Sequence, residues 1–436
     1  MMRLRTVIGM LLCCGMLTGC GTSAAPAAAP AAQPVPLPAG DPVDLSFFRE
    51  TIPQKEETVP PVSDRYNSQI TAKDGTVLAE LTGGEWKRTE DGDKYAALLD
   101  TVTPDAVVGP DINNTLRLDT VKTDKVSALM AENGFEGCVI ACDAKGGADI
   151  ICNYPADKDY ASAPNFNGST AKILVSTAIL DHGAEQLYAD PGSYNPGGHV
   201  YLNWDGPYAQ PVNRTLMNAF QESSNAYFMH AACELLHHKK MGETYDRYFG
   251  YNCFGSAALG YYFPADWMQI PQPDWNSILG DDFELGKSAI GLSDQVKITP
   301  LYLNAVTGAV AAGGIYELEL RAESEPHRLE QTEDLPENIR SDLWKMMYEC
   351  GQWTSREQFS DMNGYRFHVK TGTADTRYGA HNEHYLKRLL ITGFVEKESE
   401  PVCVITVYCH NGAETGLSSG GLAPLYRQVA AIMLEE

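Results

Sequence analysis

The sequence predicts an α+β fold: one antiparallel sheet holding both ends of the main domain, flanked by helices, with a helix-rich subdomain between them and a small N-terminal module ahead. Three observations carry this expectation. Two strand-like runs, Gly137 to Asp143 and Ala148 to Tyr154, are joined by the turn residues Ala144-Lys-Gly-Gly. A long middle stretch has helical spacing. Three further strand-like runs, followed by a helix, close the chain. Strands placed at both ends of one domain share a sheet only if the chain returns to where it began.

The first twenty residues lie outside that fold. Arg3 and Arg5 precede an apolar run from Val7 to Met16, shorter than the roughly 20 residues a helix needs to cross a bilayer, so the run reads as an export signal. It ends in Leu17-Thr18-Gly19-Cys20, which resembles a bacterial lipobox and makes Cys20 the expected lipid-bearing N-terminus of the mature chain. Residues 21–42 are rich in Ala and Pro. With little apolar variety to bury and a bias to extended polyproline geometry, they are expected to form a tether.

Residues 43–113 are assigned to the N-terminal module. Ser68-Gln-Ile-Thr-Ala and Val77-Leu-Ala-Glu-Leu flank Asp74-Gly75, the signature of a strand, a tight turn and a returning strand. Residues 114–436 are assigned to the main domain. Val126, Leu129 and Met130 set a helix over Lys122 to Asn133, ahead of the first strand pair. Further helices are expected from Ser169 to Asp181, from Arg214 to His237 with a break at Ser223-Ser224-Asn225, from Pro300 to Ala312 and from Glu337 to Tyr348. The closing strands are Tyr365 to Lys370, Lys387 to Val395 and Val402 to Tyr408, with a helix over Ala423 to Leu434. His237-His238-Lys239-Lys240 has no third ligand near it and reads as a solvated helix end.

Bulk properties remove several function classes. A net charge of -24 over 436 residues leaves no basic surface for nucleic acid. Eight of the 11 cysteines follow Cys20, with no Cys-x-x-Cys pair and no Cys/His cluster at metal-ligand spacing, so buried free thiols are expected and no metal or cofactor. Cys138 and Cys142 sit four residues apart on a strand, hence on one face of it.

Chemistry enters with Ser169-Thr170-Ala171-Lys172. A Ser and a Lys three apart at the start of a helix share a face, so the amine can take the hydroxyl proton if burial or a nearby cation lowers its pKa. Alone, the pattern equally describes a capping Ser and a solvated Lys. Ser223-Ser224-Asn225, between two apolar helical stretches, equally describes a helix break. Lys370-Thr371-Gly372-Thr373 ends a β-run; there Gly372 admits a close backbone, and the Lys and Thr groups suit a carboxylate. Its bland counterpart is an edge-strand Lys beside a Thr-rich end.

These three segments, in this order within one domain, are the set that marks penicillin-binding proteins and serine β-lactamases. From about Asn114 to the C-terminus the chain resembles the transpeptidase domain of class B penicillin-binding proteins. Gly291-Leu-Ser-Asp-Gln-Val-Lys-Ile-Thr-Pro-Leu-Tyr-Leu, ahead of Ala311-Ala-Gly-Gly, resembles the segment between the family's second and third motifs, and Ser68 to Ala79 resembles its N-terminal module. The resemblance implies a peptidoglycan D,D-transpeptidase that also binds β-lactams, without metal. Ser169 would be the acylated nucleophile, Lys172 its base, Ser223 a proton relay and Asn225 a holder of substrate amide. Lys370, Thr371, Gly372 and Thr373 would bind substrate, and the backbone N–H groups of Ser169 and Thr373 would form the oxyanion hole. The implied location is the outer side of a membrane, held by lipid at Cys20.

The chain departs from the family in three places. It has a lipobox where a spanning anchor is usual, its N-terminal module is short, and Ala171 stands where an aromatic is often found. The same Ser and Lys also serve D,D-carboxypeptidases and β-lactamases. A reading of another class is a non-catalytic lipoprotein that captures β-lactams or muropeptides.

Overall fold

The computed structural model describes residues 68–102, 113–251, 281–361, 363–378 and 384–435. The export signal, Cys20, the tether and the beginning of the N-terminal module lie outside the described residues. All the described residues belong to one compact unit.

The N-terminal sheet is made by β1 (Gln69–Thr71), β2 (Val77–Thr82), β3 (Glu85–Arg88) and β4 (Asn113–Thr115), in the order β3-β2-β1-β4. The β1–β2 turn forms at Asp74-Gly75 as expected, with Asp74 Oδ1 accepting from the Thr76 N–H at 2.9 Å. Helix α1 (Ala96–Val102) follows, with its Leu98, Leu99 and Val102 in the same core as Ile70 and Leu78 of the sheet. β4 adds to β1 in parallel, so the strand at the sequence boundary of the module completes the module's sheet. The next residue, Leu116, bridges to Arg321 of the main domain.

In the main domain, α2 (Thr120–Glu132) leads into the hairpin of β5 (Gly137–Cys142) and β6 (Ala148–Tyr154). The helix-rich middle opens with α3 (Lys172–Asp181). An irregular excursion follows, built on β7 (Tyr188–Asp190), β8 (Ser193–Tyr194), β9 (Tyr201–Leu202) and β10 (Val212–Arg214). Then come α4 (Leu216–Gln221), α5 (Asn225–His230), α6 (His237–Phe249), α7 (Asp282–Ala289), α8 (Pro300–Ala312) and α9 (Glu337–Phe359). The chain ends with β11 (Tyr365–Tyr378), β12 (His384–Lys397), β13 (Glu400–Cys409) and α10 (Ala423–Met433).

The main sheet is antiparallel with the order β11-β12-β13-β5-β6. β13 lies beside β5, so the last strand closes on the first. Alternation divides the side chains between two cores. Cys138, Ile140, Cys142, Leu390, Phe394, Val404 and Tyr408 join the core under the helical middle. Val139, Ala141, Leu389, Ile391, Ile405 and Val407 join a second core, shared with Val126 and Met130 of α2 and Leu425, Tyr426 and Val429 of α10. Cys138 and Cys142 thus share a face, and seven of the eight cysteines after Cys20 are free and buried; Cys253 is outside the described residues.

α8 is buried along almost its whole length. Thr299 caps it, accepting from Tyr302 N–H at 3.0 Å, and Pro300 occupies its first turn. It is pinned to the sheet by a buried polar ladder: Thr307 to Thr392 at 2.7 Å, Thr392 to Thr406 at 2.7 Å, and Asn304 Nδ2 donating to Thr406 Oγ1 at 3.2 Å.

Local boundaries differ from the sequence reading in five of the places that bear on the site. The expected helix at Ser169 begins with a 3-10 turn, Gly168–Ala171, and becomes α-helical only at Lys172. The helix expected over Arg214 to His237 is preceded by β10 and split into α4, α5 and a π turn at Ala231–Leu236. His237 to Lys240 open α6 instead of ending a helix, because the π turn resets the phase to bury Ala231, Ala232, Cys233 and Leu236. Finally, α9 continues past Tyr348 to Phe359 with a break at Ser355, and β11 continues past Lys370 to Tyr378.

Candidate active site

Ser169 is carried on the 3-10 turn at the head of α3. That turn is fixed from both sides: Thr170 Oγ1 donates to the Asn167 carbonyl at 2.6 Å, and Gly168 N–H donates to the Gly291 carbonyl at 3.0 Å. Asn165 and Ile298 exchange backbone hydrogen bonds at 2.9 and 3.2 Å. The segment from Gly291 to Ile298, noted in the sequence for its pattern, therefore acts as the bed on which the serine turn rests.

Lys172, one turn on, is fully buried. Its Nζ lies 2.9 Å from Ser169 Oγ, 2.8 Å from the Ser223 carbonyl, 3.2 Å from the Ser223 hydroxyl and 2.9 Å from Asn225 Oδ1. The Phe228 ring lies beneath it, 5.5 Å from ring centre to Nζ. Burial, and after it the neighbouring Lys370 charge, hold the Lys172 pKa well below that of a free lysine.

Ser223 takes φ 58°, a left-handed conformation in the gap between α4 and α5. The next residue, Ser224, caps α5 by accepting from Tyr227 N–H at 3.1 Å. The break read from the sequence is thus a pair of helices meeting end to start, with Ser223 turned out between them. Asn225 opens α5 and spans the site: its Oδ1 faces Lys172 and its Nδ2 donates to the Leu202 carbonyl at 2.9 Å.

Lys370 is also fully buried. It donates to Ser223 Oγ at 3.1 Å and to the Thr371 carbonyl at 3.0 Å, with Phe220 5.4 Å below. Burial lowers its pKa, and contact with Cys350 opposes the shift. At Gly372 a Cβ would sit 2.9 Å from the Asn167 carbonyl oxygen and 3.0 Å from Thr170 N, so the backbone that comes close there is that of the serine turn. Gly168 completes the seat: its own missing Cβ would lie 2.7 Å from the Thr373 carbonyl.

Ser169, Ser223, Asn225, Thr371 and Thr373 line one cleft of about 800 Å³. The structure brings together all eight residues singled out in the main domain; Cys20 is outside the described residues. Sequence reasoning missed the walls. Trp204 and Trp353, both more than half exposed, flank the cleft with Glu222, Asp375, Lys387 and the turn at Ser418 to Gly420. Trp204 and Trp353 lie far apart in sequence with no fixed spacing to either motif. Asp375 was legible in principle, two residues beyond Thr373 and therefore on the same side of β11.

A cleft-lining serine on a buried lysine, joined by a second serine and a second lysine at the edge of an antiparallel sheet, defines a serine acyl-transferase of the Ser–Lys class. The chain matches the penicillin binding protein transpeptidase domain over residues 137–430. It belongs to that family and is a serine-type transpeptidase. Enzymes of the family bind penicillin and work on peptidoglycan, outside the cytoplasm.

Solved structures share the fold. Penicillin-binding protein A from M. tuberculosis, in a ceftriaxone acyl-enzyme complex, is 18% identical with a TM-score of 0.67, over 85% of this chain and 99% of the other. The D,D-transpeptidase domain of a peptidoglycan glycosyltransferase from Eggerthella lenta is 18% identical with a TM-score of 0.65, over 85% and 98%. The transpeptidase domain of penicillin-binding protein 3 from Burkholderia pseudomallei is 17% identical with a TM-score of 0.59, over 73% and 95%. No curated protein matches the sequence. Among the described residues, no helix is long and apolar enough to cross a membrane.

Proposed function

We propose that this enzyme is a D,D-transpeptidase that cross-links peptidoglycan stem peptides through an acyl-enzyme on Ser169. The observation that carries the reading is the geometry at Lys172. A neutral lysine amine has two N–H donors and one lone pair. The Ser223 carbonyl at 2.8 Å and Asn225 Oδ1 at 2.9 Å accept the two donors, which aims the lone pair at Ser169 Oγ, 2.9 Å away. Burial, and after it the charge of Lys370, lower the pKa of this amine and so favour that neutral form.

Ser169 Oγ attacks the carbonyl of the D-alanyl-D-alanine bond while its proton passes to Lys172. The backbone N–H groups of Ser169 and Thr373 would receive the oxyanion, a reading supported by the packing of Gly168 on the Thr373 carbonyl; each such donor is worth roughly 3–4 kcal/mol in acyl transfer. The bond to the terminal D-alanine breaks, and Ser223, in contact with both lysines, relays a proton to the leaving amine. An acceptor amine then attacks the acyl-enzyme and loses its proton to Lys172, which passes it to Ser169 Oγ as the ester C–O bond breaks. Thr371, Thr373 and Lys370 hold the substrate carboxylate end. Water in place of the amine would give a carboxypeptidase. A β-lactam enters the same way, but its opened ring stays attached.

The test is incubation of the exported part with a fluorescent penicillin, followed by intact mass measurement, on wild type and Ser169→Ala. A lasting adduct of one drug mass, absent from Ser169→Ala, is expected. Rapid hydrolysis without an adduct would make the protein a β-lactamase, and no reaction would leave a binding protein.

Leu17-Thr18-Gly19-Cys20 supports attachment of the enzyme to the outer face of a membrane by lipid on Cys20. Cys20→Ser is expected to move the protein from the membrane fraction to the soluble fraction and to abolish incorporation of radiolabelled fatty acid; unchanged labelling would refute the anchor.

A further inference from the structure

Ser223 contacts both lysines, yet it holds a left-handed φ that a non-glycine residue adopts only when its surroundings enforce it. The surroundings here are the excursion between α3 and α4. On the near side of Ser223, the Glu222 carbonyl accepts from Trp204 Nε1 at 3.0 Å, and the Glu222 carboxylate accepts from Arg214 Nη1 at 2.6 Å. On the far side, Ser224 Oγ donates to Asp190 Oδ2 at 2.6 Å, Asn225 Nδ2 donates to the Leu202 carbonyl at 2.9 Å, and Ala226 N–H donates to Asn203 Oδ1 at 3.0 Å.

The clamp is itself rigid. Asp190 is fully buried and accepts from Arg214 Nε at 2.8 Å and from Gly192 N–H at 2.7 Å, while Arg214, also buried, receives support from Tyr208 OH at 2.7 Å. Every residue flanking Ser223 is thus tied to one buried charge pair, while the Ser223 hydroxyl is left to the lysines.

We infer that Asp190 and Arg214, acting through Ser224 and Glu222, with Trp204 bracing the Glu222 carbonyl, are positioning residues that hold Ser223 in its strained conformation against Lys172 and Lys370. They touch no reacting atom. Their effect is to keep the Ser223 carbonyl and hydroxyl on Lys172 Nζ, and hence the lone pair of that amine on Ser169.

This inference rests on the acyl-enzyme reading, and its test separates the two. Acylation by a chromogenic penicillin is followed at varied drug concentration, giving the saturating rate and the half-saturating concentration, for wild type, Ser224→Ala, Trp204→Phe and Asp190→Asn. Thermal midpoints are recorded alongside. Loss of placement at the base is expected to lower the saturating rate in Ser224→Ala on the order of a hundredfold, with the half-saturating concentration nearly unchanged and the pH dependence of the rate displaced. Trp204→Phe removes one hydrogen bond from an exposed side chain, so the fold is retained, and it is expected to lower the saturating rate by a smaller factor. If Asp190→Asn or Ser224→Ala fails to fold, Trp204→Phe decides. Folded variants with a wild-type saturating rate, or with a change confined to the half-saturating concentration, would overturn the clamp. A wild type that forms no adduct would instead overturn the acyl-enzyme reading.

Discussion

An amine that takes a proton from a serine has to be neutral when the substrate arrives, and burial next to another cation shifts Lys172 toward that form. The sign of the pH dependence follows. The rate of Ser169 acylation rises with pH as Lys172 loses its proton, and because its pKa is held well below 10.5 the midpoint of the rise lies below that pH. A pH–rate profile of penicillin acylation measures this, and a limb at or above 10.5 would contradict it. Lys370→Met removes the second cation that depresses Lys172, so the limb is expected to move to higher pH. Lys172→Met removes the base and is expected to slow acylation by roughly 10²–10⁴-fold. At this scale the fixed spacing of Ser169 and Lys172 was legible in the sequence. The burial that lowers the pKa of that lysine was not, since it comes from Phe228 and from a strand near the other end of the chain.

Elements set the distance between the motifs. β11 lies against the 3-10 turn of Ser169 because two glycines, Gly168 and Gly372, let backbone meet backbone. Gly372→Ala is expected to push that turn from the strand at an overpacking cost of about 1–3 kcal/mol, seen as a lowered thermal midpoint together with slower penicillin labelling. Unchanged labelling at an unchanged midpoint would mean the turn gives way freely. The sequence placed Lys370 to Thr373 at a strand end. The structure continues the strand because β12 pairs with it residue for residue as far as Tyr378, a partnership that a run as polar as Thr371 to Thr376 does not announce. The end of α9 was equally hidden: Cys350, Gly351 and Phe359 are buried against β11 and the core beyond it, but polar residues between them dilute the helical period.

For the molecule as a whole, the sheet is the frame and α8 is the pin. The Asn304, Thr307, Thr392 and Thr406 ladder crosses from helix to sheet, and each member is hydrogen-bonded to another within it. Thr406→Val is expected to leave buried partners unsatisfied and lower the unfolding free energy by about 1–3 kcal/mol, measured by denaturant titration; a value near zero would mean the ladder relaxes without loss. The buried thiols give an independent check on packing. The seven described cysteines are free and buried, so they are expected to alkylate slowly in the native protein and rapidly once it unfolds.

By itself the sequence determined the class of fold, the order of motifs and the chemistry they could support, because strand alternation, helical period and short fixed spacings are local properties of a chain. It also singled out the eight residues of the main domain that line or underlie one cleft. What only the tertiary structure decided was which charges lie in the dark, which backbones touch, and how Ser223 is held. Burial of Lys172, the seat made by Gly168 and Gly372, and the clamp from Asp190 and Arg214 each join segments distant in sequence. Their free energies arise only when the sheet closes its last strand on its first and brings those segments within reach.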